Sequence, residues 1–192
     1  GKNKRMKINA LLDDGSTKTY LNSDVAAELG LKGEMKRVSV NVLNDQLESF
    51  ETMPVEFGLE SCDGSVDMTV SAYTIENVTG DLQVVNWSRY AQNWPHLHSI
   101  KFPAVSERHN VDMLIGIDHA DLHFSLKDVR GKSGDPIARL TPLGWTCISP
   151  QKGDHSFLTT NYQRTYFIKN RMEERDVNDS LRRFWEIEDV VC

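Results

Sequence analysis

Apolar and polar residues alternate over most of positions 37–73, which limits this part of the chain to antiparallel β-structure. Three alternate valines occupy positions 38–42, a polar break follows at Asn44-Asp45, and apolar positions resume up to Phe50. A second alternating run over 55–59 and 66–73 turns at Asp63-Gly64, a dipeptide that suits the tightest hairpin turns. The sequence therefore predicts two successive β-hairpins, over 37–53 and 55–73.

A third apolar run lies near the start of the chain and ends abruptly. Residues 8–12 are almost entirely apolar and are followed by Asp13, Asp14, Gly15, Ser16 and Thr17. This pattern predicts a strand that ends in a tight polar turn, since glycine can adopt a positive φ without a Cβ clash. Apolar residues then recur at helical spacing over 25–29, which predicts a short helix capped by Ser23 and ended by Gly30.

Late in the chain, residues 111–118 read VDMLIGID. Three apolar residues predict a buried strand, and Gly116 at its end would let another segment approach closely. By itself this pattern also fits any core strand, just as residues 13–16 fit an ordinary acidic turn. On these residues alone, each segment can be either an ordinary structural element or part of a functional site.

Taken together, these segments resemble retropepsin-type aspartic proteases, whose active-site pattern is two apolar residues, Asp, a small hydroxyl residue and Gly. The matching stretch is Leu11-Leu12-Asp13-Asp14-Gly15-Ser16. More narrowly, Trp94-Pro95-His96-Leu97, residues 135–149 (DPIARLTPLGWTCIS) and residues 183–188 (RFWEIE) are similar to BEL/Pao-type retrotransposon polyproteins.

The resemblance implies a fold and a set of site residues. The fold is mainly β: a retropepsin-like closed β-barrel with one or two short helices, an irregular insertion and a C-terminal helix. Asp13 is the implied catalytic residue, with Asp14, Gly15, Ser16 and Thr17 as its loop and Gly116 packed beneath that loop. The first hairpin takes the place of the mobile flap, with Leu43, Asn44, Asp45 and Gln46 at its tip.

The implied organisation is a protease domain over 1–150, with the irregular insertion at 76–110, followed by a polar linker and a C-terminal helix over 151–192. Apolar residues on one stripe of 178–191 predict that helix. Residues 143–148 form a short apolar stretch that is a candidate for the strand joining two subunits.

Composition and charge narrow the class of protein further. Twenty-eight acids against 22 Lys and Arg give a net charge of −6, so nucleic-acid binding is not expected for this domain. Three widely spaced cysteines argue against a disulfide framework or a CxxC metal site and favour an intracellular, cytoplasmic setting. No apolar run approaches the roughly 20 residues of a membrane span, so no membrane association is expected.

Metal and cofactor sites are not predicted. His119 and His123 are spaced to share a metal ion on a helix, but a third ligand is not evident. We therefore expect neither a metal nor an organic cofactor.

The chain contains a single Asp-x-Gly motif, and this has a direct chemical consequence. Aspartic peptide hydrolysis needs two carboxyl groups around one water, because one accepts a proton while the other polarises the scissile carbonyl. We therefore expect a homodimer that pairs Asp13 from each subunit and acts on an extended peptide or polyprotein.

Asp14 departs from the family pattern, which places Ser or Thr at this position to form a hydrogen bond across the dimer. An ionised aspartate has no donor. Ser16 or Thr17 could supply a substitute hydroxyl. The alternative is a catalytically silent retropepsin-like domain used for dimerisation or peptide binding.

Overall fold

The computed structural model describes residues 4–42, 46–80, 82, 84–149 and 162–169. Within them the chain is mainly β, with a few short helices. The strands are β1 (Arg5–Leu12), β2 (Tyr20–Asn22), β3 (Lys36–Val42), β4 (Gln46–Thr52), β5 (Pro54–Ser61), β6 (Asp67–Ile75), β7 (Met113–Ile115), β8 (Lys127–Arg130), β9 (Ile137–Thr141), β10 (Gly144–Ile148) and β11 (Tyr162–Lys169). The α-helices are α1 (Ser23–Leu29) and α2 (Trp87–Tyr90), and 3-10 helices cover Ala91–Asn93, Pro95–Leu97 and Ile117–Leu122.

Six strands form a closed barrel in the order β1-β11-β5-β6-β2-β7, which confirms the mainly β class and the closed barrel. β7 lies between the two strands that flank the acidic turn: it runs parallel to β1 and antiparallel to β2. The barrel is filled by fully buried apolar side chains, the largest of which include Ile8, Leu21, Phe57, Leu59, Met113 and Ile115. This burial fixes the acidic turn at one end of the barrel.

Both predicted hairpins are confirmed. β3 and β4 pair antiparallel, with Val38 opposite Phe50. β5 and β6 pair through a turn in which Gly64 has φ 73°, a conformation that favours glycine. Of the predicted flap tip, Leu43, Asn44 and Asp45 lie outside the described residues, and Gln46 begins β4.

The predicted helix after the acidic turn is also present, with one difference at its start. Asn22, rather than Ser23, is the N-cap, because its side-chain oxygen accepts hydrogen bonds from Asp24 N (2.9 Å) and Val25 N (3.4 Å). Gly30 ends the helix at φ 68° as predicted.

The expected domain boundary at position 150, with a polar linker and a C-terminal helix over 151–192, is corrected by the position of strand β11. Residues 162–169 pair with the whole of β1 and with Gly58–Ser61 of β5, so the barrel includes residues beyond position 150. The polar composition of residues 151–175 did not indicate a strand. A β-strand can nevertheless form in such a segment, because its side chains alternate between two faces and only one face has to be apolar. The predicted helix over 178–191 lies outside the described residues.

A second apolar core lies outside the barrel. The insertion is irregular, as predicted, and Trp87, Leu97 and Phe102 pack with Ala138 and Cys147 of the three-stranded sheet β10-β9-β8. β10, the predicted subunit-joining strand, pairs here with β9. The insertion is thus anchored to the later hairpin by aromatic side chains.

A buried polar network joins the end of the insertion to β1. Asp112 is 1% exposed; its carboxylate accepts hydrogen bonds from Arg108 Nε (2.6 Å) and from Asn9 N (3.2 Å). Burial raises the pKa of Asp112, and the Arg108 hydrogen bond opposes that rise. The Asn9 side chain in turn donates to Ser106 Oγ (2.8 Å), so these buried polar groups satisfy one another.

Candidate active site

Asp13 is the first residue after β1, and the backbone of its turn fixes its position. Its N–H donates to Ile115 O (3.0 Å), which continues the parallel β1–β7 pairing by one residue. Its own carbonyl accepts a hydrogen bond from Ser16 N (3.3 Å), which closes the turn. Asp13 therefore lies at the end of the barrel, half-buried, on a backbone that is bonded on both sides.

The Asp13 carboxylate is oriented by Gly15. Gly15 N donates to Asp13 Oδ1 at 3.0 Å, so one carboxylate oxygen is held by a backbone donor. A Cβ at position 15 would lie 3.2 Å from the same oxygen, closer than most real contacts. A glycine therefore lets the backbone amide reach the carboxylate without crowding it.

Gly116 lies directly beneath the turn, as the resemblance implied. A Cβ at position 116 would lie 2.4 Å from Lys18 O and 2.8 Å from Ser16 O. The next residue, Ile117, donates its N–H to Ser16 O at 2.8 Å. The absence of a side chain at Gly116 is what allows the loop to rest on this segment.

Thr19 completes the attachment of the loop, and sequence reasoning gave it no role. It is fully buried, and its hydroxyl oxygen accepts a hydrogen bond from Gly116 N (3.0 Å). Its hydroxyl donates to Asp118 Oδ1 (2.7 Å), and its N–H donates to Asp118 Oδ2 (2.9 Å). The one signal in the sequence was Asp118, an acid two residues after Gly116. Its hydrogen-bond partner Thr19 lies 99 positions earlier in the chain, so the sequence did not indicate the pair.

The other loop side chains differ in their surroundings. Asp14 and Thr17 are exposed. Ser16 Oγ donates to Lys18 O (2.8 Å), a bond within its own loop. Of the two predicted substitute hydroxyls, that of Thr17 is therefore on the exposed face with Asp14, and that of Ser16 is used in shaping the loop.

The base of the β3–β4 hairpin contacts the barrel next to the loop. The ring of Phe50 lies 6.4 Å from that of Tyr20, which follows Thr19, and the Tyr20 ring lies 6.2 Å from Tyr73. Lys36 Nζ lies 5.1 Å from the centre of the Tyr73 ring. Burial, and then the negative charge of Asp118, raise the pKa of Tyr20. The hairpin is thus anchored by aromatic contacts immediately beside the Asp13 loop.

The histidine pair does not form the helical site considered from its spacing. His119 lies within the 3-10 helix Ile117–Leu122, which is kinked at that residue, and His123 is the C-cap residue that follows the helix. His119 Nε2 lies 3.3 Å from Ser71 O and His123 Nε2 lies 2.9 Å from Gly116 O, so each ring meets a different backbone carbonyl. Across the described part of the chain, no three His, Cys, Asp or Glu side chains are grouped to hold a metal ion.

Comparison of the chain with models of known protein families, with curated proteins and with solved structures found no match. Among the helices of the described ranges, none has the length and apolar character to span a membrane.

Proposed function

We propose that this chain is a retropepsin-like aspartic endopeptidase of retrotransposon type, active as a homodimer. The observation that supports the proposal best is the close packing of the Asp13 loop on Gly116. A carboxylate held by Gly15 N stands on a turn that rests on Gly116, where a Cβ would meet two loop carbonyls. Such close support restricts the movement of a side chain whose position matters for chemistry.

In the proposed reaction, Asp13 from each subunit lies on the twofold axis with one water between the two carboxyl groups. Two carboxyl groups about 3 Å apart cannot both ionise readily, so they share a proton and titrate as a pair. The ionised member takes a proton from the water as the water attacks the peptide carbonyl. The protonated member donates a hydrogen bond to that carbonyl oxygen. The carboxyl pair then gives one proton to the amide nitrogen, the C–N bond breaks, and the pair is left with a single shared proton as before. Activity is expected to be highest in the acid to mildly acid range.

The proposed substrate is an extended peptide, such as a segment of a polyprotein. The β3–β4 hairpin is a two-stranded ribbon anchored at its base by the Phe50–Tyr20 contact. A ribbon of two strands has little stability of its own, so it can open and close over a bound chain. An extended peptide presents backbone donors and acceptors that such a ribbon can pair with.

A second candidate function is a retropepsin-like domain that binds peptides or dimerises without catalysis. Asp14 favours it, because this exposed side chain stands beside Asp13 and lacks a hydroxyl to donate across a dimer. Four carboxyl groups near one axis would also oppose close approach of two subunits at neutral pH.

Cleavage of a peptide spanning a polyprotein junction at pH 5 tests the proposal. Wild type and the Asp13→Asn variant are compared, with Asp24→Asn as a control for loss of an exposed acid on helix α1. We expect turnover by wild type and the control, and loss of turnover in Asp13→Asn. An inactive wild type that still binds the peptide would favour the silent domain, and full activity in Asp13→Asn would refute the assignment of Asp13.

A further inference from the structure

Asp118 and Thr19 form a junction between the Asp13 loop and the segment beneath it. Thr19 ends the loop, and Asp118 lies two residues after Gly116. Three hydrogen bonds meet there: Gly116 N to Thr19 Oγ1 (3.0 Å), Thr19 Oγ1 to Asp118 Oδ1 (2.7 Å) and Thr19 N to Asp118 Oδ2 (2.9 Å). The junction therefore joins both segments through side chains as well as backbone.

The donors and acceptors at this junction require a carboxylate. The Thr19 hydroxyl has one hydrogen, and because its oxygen accepts from Gly116 N, that hydrogen is free to go to Asp118. The Thr19 N–H goes to the other oxygen of the same carboxylate. Two donors thus face two acceptor oxygens, whereas an amide side chain offers only one acceptor and an alanine offers none.

The junction is one of several attachments between the Asp13 loop and residues 115–118. Ile115 O accepts the Asp13 N–H, and Ser16 O accepts the Ile117 N–H. With the Asp118–Thr19 pair, the loop is bonded to residues 115–118 at its start, middle and end. Without the carboxylate, the last of these attachments is lost and the Gly116 N–H loses an oriented acceptor.

We propose that Asp118 is a positioning residue that fixes the position of Asp13 relative to Gly116. This inference rests on the proposed homodimeric peptidase for its effect on activity. Under twofold symmetry, a shift of Asp13 in one subunit is repeated in the other, so small errors in the loop are doubled across the pair. A misplacement of about 1 Å can lower turnover on the order of 100-fold.

The test compares Asp118→Ala and Asp118→Asn with Asp121→Asn, which removes an exposed acid from the same 3-10 helix. Peptide turnover and hydrogen exchange of the Gly116 amide are measured for each. We expect kcat to fall roughly 10- to 100-fold in Asp118→Ala with KM little changed, and Gly116 exchange to accelerate. Asp118→Asn should be intermediate, and the control should match wild type.

Two results would overturn the inference: unchanged Gly116 exchange in Asp118→Ala, or an unchanged kcat in an active enzyme whose Gly116 exchange has accelerated. If wild type does not cleave peptides, the proposed peptidase fails, and the exchange of Gly116 alone decides whether Asp118 positions the loop. If Asp118→Ala does not fold, Thr19→Val gives the same comparison, because it removes the hydroxyl while keeping a side chain of similar shape.

Discussion

Replacing Gly116 by alanine tests the support of the Asp13 loop by adding a single methyl group. The backbone at Gly116 has φ −89° and ψ −176°, which any residue adopts, so the effect is steric and not conformational. The new Cβ would lie 2.4 Å from Lys18 O, against ordinary contacts of 3.4–4 Å. The loop must therefore move by about 1 Å, since the three obstructing atoms, Lys18 O, Lys18 C and Ser16 O, all belong to its backbone. Overpacking of this kind costs about 1–3 kcal/mol of unfolding free energy.

The expected result is a lower Tm together with a large loss of turnover. For a domain of this size, 1–3 kcal/mol corresponds to a fall in Tm of roughly 2–12 °C. Displacement of Asp13 by about 1 Å predicts a loss of kcat on the order of 100-fold. Calorimetry and a peptide-cleavage assay measure the two effects on the same preparation.

Gly30→Ala is a matched control for the loss of stability. A Cβ there meets nothing within 4 Å, but φ 68° makes alanine unfavourable by about 1–2 kcal/mol. This variant should lose comparable stability and keep its kcat, because Gly30 ends helix α1 away from the loop. A Gly116→Ala protein with wild-type Tm and kcat would refute the steric reasoning.

Three further predictions concern charge and closure of the fold. Dimerisation should strengthen from pH 7 to pH 5, because four carboxyl groups brought near one dimer axis repel one another and uptake of a proton by the group relieves that repulsion; a flat or weaker association constant in sedimentation would contradict this. The hydrogen bond from Arg139 lowers the pKa of Asp128 to about 2, and the hydrogen bonds from Ser125 and Arg130 lower it as well. The ionised Asp128 side chain therefore stabilises the fold above about pH 4, and this stabilisation is lost as the pH falls towards 2. Asp128→Asn should therefore lower stability in urea by roughly 1–2 kcal/mol at pH 7, with the difference vanishing near pH 2. Deleting residues 162–192 should cause aggregation measurable by light scattering, because β1 and β5 lose their shared partner; a monodisperse truncated chain would argue against β11 as the closing strand.

Local patterns were sufficient to predict the elements that depend on short-range order. Alternation over 37–73 predicted both hairpins, and the Asp63-Gly64 turn has the positive φ that its glycine suggested. The contact between the Asp13 turn and Gly116 was implied by the resemblance to retropepsin-type proteases and not by a local pattern, and in the structure a Cβ at position 116 would meet two carbonyls of that loop.

Other features that depend on distant pairings were missed. β11 has a mixed composition, and only its pairing with β1, at least 150 positions earlier, reveals it as a barrel strand. Similarly, nothing local marks Thr19 as the partner of Asp118, since a buried threonine next to a strand is common. The N-cap of helix α1 shifted by one residue because Asn22 and Ser23 are both good capping residues, and side-chain geometry decided between them.

A subunit-mixing experiment tests most directly whether two Asp13 side chains form one site. Wild type and Asp13→Asn chains are mixed in equal amounts at constant total concentration, allowed to exchange, and assayed for peptide cleavage at pH 5. If only dimers with two intact subunits are active, about one quarter of the all-wild-type activity should remain, since random pairing leaves that share of intact pairs. A residual activity of about one half would mean that each chain acts alone and would contradict the shared site.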